Sequence, residues 1–250
     1  MSSFVDAHCH LTHELFAADL PEVLERARKA GVEKVYCVSG MAGHDERVLD
    51  LAARHPGFVF PVLGVSPHDA PKTSDEQLKA ELARVEENKE QIAAVGEIGF
   101  EFHYFKGEAE REAQRKIFRA QLELAEQLGK AVVVHSRKAT KETLDELAGF
   151  NGKVMLHCCN DALLAREGAQ RGYLVSVSTL KSRERQKIIA ETPLESLCCE
   201  TDSPFLSPEK GKRNEPANVV AAYEAVAVVK GISLSECAEK IYLNLKRFFR

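Results

Sequence analysis

Several common features are missing from this 250-residue sequence, and each absence limits the kinds of protein it can be. No apolar run is long enough to span a bilayer, so we expect no membrane association. The N-terminus has neither the basic segment nor the apolar stretch of a secretory signal, which favours a cytoplasmic protein. The net charge of -4 excludes a globally basic nucleic-acid binder, although it leaves local basic patches open.

Motifs of several enzyme classes are also missing. There is no glycine-rich phosphate loop, no dinucleotide-binding fingerprint and no Ser/His/Asp nucleophile pattern. The seven cysteines are odd in number and show no CxxC spacing, so we expect free thiols rather than disulfides. No linker, low-complexity segment or internal repeat interrupts the chain, and we predict one domain over residues 1–250.

Apolar, β-branched runs alternate with amphipathic helical patterns along the chain. The predicted strands are residues 4–8, 34–38, 59–65, 92–98, 131–135, 153–158, 173–178 and 197–201. Helical patterns such as 20–30 and 110–128 are each followed by a glycine that would cap them, and a capping box at Ser233 predicts a last helix through Phe249. This alternation implies parallel strands with right-handed crossovers. We therefore predict an α/β fold, a single (β/α)8 TIM-like barrel.

Ionisable side chains stand at the ends of these predicted strands. His8 and His10 are two residues apart, so on a strand they would face the same side and could bind one divalent ion. The full set of candidates is His8, His10, Glu97, His135, His157 and Asp202. Each has an ordinary alternative, because a strand-end histidine is often hydrogen-bonded scaffolding and a strand-end aspartate often caps a helix. A barrel gathers the C-terminal ends of its strands at one mouth, so the six together predict a metal site there.

Four imidazoles and two carboxylates suit two divalent ions, because a carboxylate can bridge two ions whereas each imidazole serves one. The candidate ions are zinc, manganese and magnesium, and the nitrogen-rich donors favour zinc, manganese or cobalt over magnesium. Two such ions can share a water and lower its pKa, which indicates metal-assisted hydrolysis. Glu97 and Asp202 are the predicted catalytic carboxylates. Asp202 is both ligand and base for the attacking water, and Glu101 and His68 are the alternative bases.

At these residues the sequence resembles the TatD-type deoxyribonucleases of the amidohydrolase-like superfamily of metal-dependent hydrolases. The matching segments are Asp6-Ala7-His8-Cys9-His10, Gly96-Glu97-Ile98-Gly99, Val134-His135-Ser136, Leu156-His157-Cys158, Glu200-Thr201-Asp202-Ser203-Pro204, Arg213-Asn214-Glu215-Pro216 and the terminal Asn244…Phe248 pattern. The resemblance implies a TIM-like barrel and a divalent-metal-dependent deoxyribonuclease that cleaves phosphodiester bonds of DNA, with 3'-5' exonuclease-like action. By the family pattern one ion is held by His8, His10, Glu97 and Asp202, and the second by Glu97, His135 and His157.

Two segments beside the predicted metals depart from the family pattern. Family members commonly have a His-Pro pair after the third strand, whereas this chain has Ser66-Pro67-His68. They also tend to follow Gly-Glu-Ile-Gly with Leu-Asp-Tyr, whereas this chain has Phe100-Glu101-Phe102. Both positions would lie where substrate is bound. His68 is therefore a candidate substrate-binding residue, and the substrate is implied less firmly than the metal core.

Basic residues cluster on loops that would surround the active site. They are Arg137, Lys138, Lys141, Lys181, Arg183, Arg185, Lys210, Lys212 and Arg213. Such loops are often no more than solvated surface, but clustering at one end of a barrel favours phosphate binding, and Arg137 and Arg213 are our candidates for it. Tryptophan is absent, so base stacking would fall to the aromatic run 102–105, whose alternative role is to pack its loop onto the barrel. The expected partner is DNA or another phosphate-bearing substrate, with no membrane and no obligate protein partner.

Other functions remain open on the same barrel, because a fold does not fix a substrate. One alternative is an amidohydrolase or esterase of a small molecule, which a neutral pocket would favour. A related one is an esterase of aminoacyl-tRNA, and a third is a non-enzymatic metal-binding protein. The basic loops disfavour the first of these, and the complete ligand set disfavours the last.

Overall fold

The computed structural model describes residues 3–40 and 43–250. Its centre is one sheet of eight parallel strands, each paired with the next along the chain. The strands are β1 (Phe4–Cys9), β2 (Val32–Val38), β3 (Val59–Leu63), β4 (Ala94–Glu101), β5 (Ala131–Arg137), β6 (Val154–Leu156), β7 (Leu174–Val177) and β8 (Leu197–Cys199). Parallel strands in chain order with helices between them form the (β/α)8 arrangement, so the predicted fold is confirmed.

The sheet closes into a barrel through the segments that carry predicted ligands. The backbone N–H of Asp202 donates to the His8 carbonyl at 3.0 Å, and that of His10 donates to the Ser203 carbonyl at 2.7 Å. Cys9 and Ser203 form a parallel bridge at the same place. The first strand and the segment after the last strand therefore meet at the mouth of the barrel.

The helices lie between the strands. The α-helices of the described residues are α1 (Leu20–Lys29), α2 (Asp45–Arg54), α3 (Asp75–Glu87), α4 (Glu108–Leu128), α5 (Thr140–Glu146), α6 (Ala162–Gln170), α7 (Arg183–Glu191), α8 (Val220–Lys230) and α9 (Leu234–Phe248). Short 3-10 helices cover Glu14–Phe16, Ala70–Lys72, Leu147–Gly149, Leu194–Ser196 and Pro216–Val219. The predicted caps are present: the Ser233 side chain accepts the N–H of Glu236 at the start of α9, and Gly129 ends α4 in the left-handed region.

Four strands end earlier than the sequence pattern predicts; β3 ends at Leu63 and β7 at Val177, against predicted ends at residues 65 and 178. β6 ends at Leu156 and β8 ends at Cys199, whereas the predicted runs extended to residues 158 and 201. The backbone φ angle is 43° at Cys158 and 55° at Asp202, and an extended strand does not contain such angles. The chain thus leaves the sheet at the ligand positions and turns across the mouth.

Apolar side chains fill the barrel and pack its strands against the helices; Val95, Val133 and Leu156 are fully buried. All seven cysteines are free, in agreement with the spacing argument. Within residues 3–40 and 43–250, no single helix has both the length and the apolar character to cross a membrane. Among the same described residues, the bent helix pair Pro216–Lys230 and Leu234–Phe248 passes that test when its two helices are taken together.

Candidate metal centre

The mouth of the barrel contains a cavity of about 300 Å³. Its walls are formed by His10, His13, Ser39, Gly40, His44, His68, Asp69, Glu97, His135, His157, Asp202 and Phe205. Among the predicted ligands only His8 is missing from these walls, because its side chain is fully buried under them, with its ring stacked on His157. An adjoining cavity of about 520 Å³ shares His135, His157 and Asp202. The structure therefore brings all six predicted ligands to one place, together with His13 and His44, which the sequence analysis did not single out.

The two histidines of the first motif converge as the strand spacing predicts. Their Nε2 atoms lie 3.1 Å apart, and His10 Nδ1 lies 3.3 Å from the Val38 carbonyl oxygen. A proton on Nδ1 would be donated to that carbonyl, which leaves the Nε2 lone pair of His10 free for a cation. Gly40 makes room for this ring: its φ is +54°, and a Cβ there would stand 2.5 Å from His10 Cε1.

Two carboxylates approach these nitrogens from β4 and from the segment after β8. Glu97 Oε2 lies 3.4 Å from His8 Nε2 and 3.9 Å from His10 Nε2. Asp202 Oδ1 lies 3.6 Å and 3.4 Å from the same two atoms. A tetrahedral ion with bonds of about 2.0–2.1 Å separates its ligand atoms by about 3.3 Å. His8, His10 and Asp202 therefore have both the spacing and the donor chemistry for a single divalent ion, and Glu97 adjoins them through His8.

His157 joins the same group from the end of β6. Its Nε2 lies 3.6 Å from Glu97 Oε2, and its Nδ1 lies 3.0 Å from Glu200 Oε1. Glu200 is fully buried and also accepts the backbone N–H of Cys158 at 2.7 Å. A carboxylate on the far nitrogen of a metal-binding histidine fixes the orientation of its ring and makes it a stronger ligand. We call His8, His10, Glu97, His157 and Asp202 the core donor set.

The carboxylates of the core donor set are held ionised. Burial raises the pKa of Glu97, but the His8 hydrogen bond and the charges of nearby histidines outweigh it and hold the pKa well below its ordinary value. Asp202 behaves in the same way, with His10 as its principal partner, and its pKa is lowered. Burial likewise opposes the charged form of His157, yet Glu200 raises the pKa of that imidazole to about 10. An ion that binds Nε2 of His157 must therefore displace a proton.

His135, the remaining predicted ligand, has its nearest carboxylate on a different residue. Its Nε2 lies 3.2 Å from Glu101 Oε2, and His68 Nε2 lies 3.7 Å from the same oxygen. From the sequence we expect Glu101 and His68 as alternative bases, and His68 also as a candidate substrate-binding residue; the contact of Glu101 with His135 was not predicted. A signal was present, since Glu97 and Glu101 are four residues apart on β4 and alternation places them on one face of the strand.

Comparison with known proteins agrees with this donor chemistry. The family model described as TatD related DNase matches residues 5–250.

The chain belongs to the TatD family.

Deoxyribonuclease TATDN3 of Homo sapiens is 39% identical over 257 residues, which cover 98% of this chain and 94% of that protein. An uncharacterised metal-dependent hydrolase of Methanocaldococcus jannaschii is 36% identical, over 99% of this chain and 97% of that protein. A 3'-5' ssDNA/RNA exonuclease TatD of Erwinia tasmaniensis is 30% identical, over 98% of each chain. Among solved structures, the TatD homologue YjjV of Escherichia coli superposes with a TM-score of 0.90 at 27% identity, covering 98% of this chain and 97% of that one. The predicted family and the predicted class, a hydrolase of the TatD family, are confirmed, and the donor sets support the use of divalent metal.

Both TatD-family departures named from the sequence lie at the cavity. Ser66 donates its hydroxyl to Glu97 Oε1 at 2.9 Å and so holds the candidate bridging carboxylate. Glu101 is fully buried, and its Oε1 accepts the backbone N–H of His103 at 2.8 Å. His68 lines both cavities, and Glu101 lines the larger one.

The two candidate phosphate-binding arginines have different surroundings in this TatD protein. Arg137 lines the larger cavity, and its guanidinium lies over the ring of Tyr104 at 5.1 Å. Arg213 is not among the residues that line either cavity. Its guanidinium donates twice to Asp19, at 2.7 Å and 2.8 Å, and once to the Leu15 carbonyl at 2.6 Å. Arg137 thus lies at the larger cavity, whereas Arg213 is held by Asp19 and the Leu15 carbonyl.

Proposed function

We propose that this TatD-family chain is a divalent-metal-dependent deoxyribonuclease that removes nucleotides from a DNA strand, with 3'-5' exonuclease-like action. The observation that carries the proposal is the core donor set, whose ligand atoms are spaced for a metal ion at the open end of the barrel. Relatives named as a deoxyribonuclease and as a 3'-5' exonuclease support the substrate and the polarity.

The proposed cofactors are two divalent ions, zinc, manganese or magnesium. His8, His10, Glu97 and Asp202 would hold the first; Glu97 and His157, with His135 by the family pattern, would hold the second. When bound, such ions would lower the pKa of a water and stabilise the negative charge that develops on the phosphate under attack. The number of ions and their identity are part of the proposal, because the donor geometry fits several metals.

The chain's own side chains would remove a proton from the attacking water and hold the metal ligands in place. Asp202 would accept the proton of the attacking water, because its ionised carboxylate opens into both cavities, and a base beside a cation needs reach more than a high pKa. Ser66 fixes Glu97, and Glu200 fixes His157. Asp6 joins β1 to the segment after β8. Its carboxylate accepts the N–H of Thr201 at 2.8 Å and the hydroxyl of Thr201 at 2.6 Å.

The larger cavity offers a binding surface for a single strand. Arg137 would contact a phosphate beside the one that is cleaved, and His68 would contact the reacting nucleotide. Tyr104 and Phe205 both line this cavity, with 62% and 47% of their surface exposed. Exposed aromatic rings of this kind stack on unpaired bases. We propose a cytoplasmic location, which the free thiols support.

The experiment is a substrate panel with metal-depleted protein to which zinc, manganese or magnesium is returned. The panel contains 5'-labelled and 3'-labelled single strands, a duplex, RNA, bis(p-nitrophenyl) phosphate, simple carboxylic esters and aminoacyl-tRNA. We expect stepwise shortening of the 5'-labelled strand from its 3' end, and loss of this activity in Asp202→Asn. Hydrolysis of the esters or of aminoacyl-tRNA without cleavage of any strand would instead support the amidohydrolase or esterase alternative.

A further inference from the structure

Arg185 is a half-buried arginine on the wall of the larger cavity, which it lines together with His157 and Asp202 of the core donor set. It is in the first turn of α7, the helix that follows β7. In the part of the chain that the structure describes, Arg185 forms no ion pair. Burial lowers the pKa of its guanidinium, whereas the hydrogen bond with Asp19 raises the pKa of Arg213. An uncompensated cation at the wall of a cavity favours an anionic ligand there.

The fold fixes the Arg185 side chain but uses few of its donors. Nη1 donates to the Ser178 carbonyl at 2.9 Å, which holds the guanidinium at the end of β7. Nε is buried without a hydrogen-bond partner, and Nη2 has no partner among the described residues. Since a guanidinium has five N–H donors, most of them remain available to a ligand.

Ser182 adds a hydroxyl beside this guanidinium. It is the residue before α7, and it lines the same cavity. Its oxygen accepts the backbone N–H of Arg185 at 3.0 Å, so the two residues are held together. A serine hydroxyl that accepts one hydrogen bond can still donate its own hydrogen to a ligand.

The other two arginines near the mouth have carboxylate partners. Arg213 donates twice to Asp19, and Arg137 Nη1 lies 3.8 Å from Glu101 Oε2. Arg137 thus approaches β4 from the end of β5, whereas Arg185 is held at the end of β7. The strands β5 and β7 are two strand spacings apart, about 10 Å. The two guanidiniums therefore lie at different places on the wall of the larger cavity.

We propose that Arg185 and Ser182 form a second phosphate subsite, which holds a different phosphate of the substrate strand from the one at Arg137. A guanidinium binds phosphate oxygens through paired N–H donors, and the hydroxyl adds a third. The inference rests on the proposed nuclease function and deepens it, because it concerns the length of the substrate. The cleaved phosphate and the two arginine-bound phosphates together require a strand of several nucleotides, and a dinucleotide cannot occupy all three places.

The first test measures binding of a fluorescein-labelled single strand to the metal-loaded protein by fluorescence anisotropy. Its phosphorothioate linkages keep the charge of each phosphate and resist hydrolysis. We expect Arg185→Gln to weaken binding about tenfold and to reduce the slope of log K against log salt concentration by about 0.7, the contribution of one contact to a single strand. Arg185→Lys keeps the charge and should retain the slope. Arg166→Gln, the same change at an exposed position on α6, is the matched control and should bind as the wild type does.

The second test identifies the phosphate that each arginine contacts. Strands with one neutral methylphosphonate linkage, placed at each position in turn, are bound to the wild type, to Arg137→Ala and to Arg185→Gln. Beyond the cleaved linkage, the wild type should be sensitive at two positions. One of these should lose its effect in Arg137→Ala and the other in Arg185→Gln, because a phosphate that has lost its partner has no contact left to lose. A merely structural role of Arg185 would not remove the effect of one position alone.

Three outcomes overturn the subsite: a salt slope that Arg185→Gln leaves unchanged, one position that pairs with both arginines, or a wild type that is sensitive only at the cleaved linkage. The last needs no substitution, so it decides even if Arg185→Gln does not fold. A protein that shortens DNA but shows one of these outcomes refutes the subsite alone. A protein that shows the expected Arg185 effects on binding but cleaves no strand refutes the proposed nuclease function alone.

Discussion

The charge of Glu97 should be the most costly single feature to remove. Its Oε2 lies 3.4 Å, 3.6 Å and 3.9 Å from Nε2 of His8, His157 and His10, and only 5% of the residue is exposed. Glu97→Gln preserves the shape and can keep the Ser66 hydrogen bond while it removes the charge. Replacing a residue that only supports a metal ligand costs about 10- to 100-fold in metal affinity or activity. Glu97 would itself be a ligand, shared by both ions, so we expect kcat/KM to fall about 100-fold or more, which corresponds to about 2.7 kcal/mol or more of transition-state stabilisation.

The assay for Glu97→Gln measures hydrolysis of a labelled single strand and of bis(p-nitrophenyl) phosphate at saturating manganese, together with bound ions by elemental analysis. Both activities should fall together, because both substrates need the ions that Glu97 would hold. Glu90→Gln, an exposed change before β4, supplies the control. Circular dichroism checks that the variant is folded. An activity within tenfold of the wild type, with the ion content unchanged, would refute the assignment of Glu97 as a shared ligand.

The other predictions concern the base, the two arginines and the acid limit of stability. Asp202→Asn should lower kcat about 100-fold or more while the melting temperature stays within a few degrees, because the amide cannot accept the proton; near-normal turnover would place the base elsewhere. Arg137→Ala should raise KM for DNA more than for bis(p-nitrophenyl) phosphate. Arg213→Ala should instead lower the melting temperature by about 1–4 °C and leave both KM values within about twofold. The reverse pattern would make Arg213 the phosphate ligand. Hydrogen bonds from Arg213 lower the pKa of Asp19 to about 2, below its unfolded value. This pair therefore stabilises the fold above about pH 4 and stops doing so as pH falls toward 2, so the stability difference between wild type and Asp19→Asn in urea unfolding should shrink over that range.

The fold and most of the metal centre could be predicted from sequence, because the fold follows from the alternation of strand and helix patterns and the metal centre from the residues at the strand ends. A parallel barrel gathers the ends of its strands, so strand-end residues such as His8 and Asp202 meet although they are far apart in the chain. The supporting residues could not be found this way. Glu200 contacts His157 and accepts the N–H of Cys158, 42 residues away in the chain, and Asp19 contacts Arg213 across 194 residues. Such pairings depend on side-chain reach between elements, which no local periodicity encodes.

The partner of His135 is a case where the spacing was readable but its meaning was not. Alternation along β4 places residue 101 on the same face as Glu97, yet it does not say which of two carboxylates a histidine on β5 will approach. That choice is set by the register of β4 against β5, in which Gly99 lies beside His135 and the pairing shifts between Gly96 and Ile98. Register shifts of this kind leave no signal in composition or hydrophobic pattern.

The closure of the barrel has a consequence for the timing of activity during synthesis. The hydrogen bonds that join β1 to the segment after β8 are formed by the same short stretches that carry His8, His10 and Asp202. A chain still on the ribosome, with residue 202 not yet emerged, lacks the closing contacts and also Asp202, which we propose as a ligand of the first ion. On that proposal the enzyme can bind the ion, and so can hydrolyse its substrate, only after residue 202 has been added and the barrel has closed.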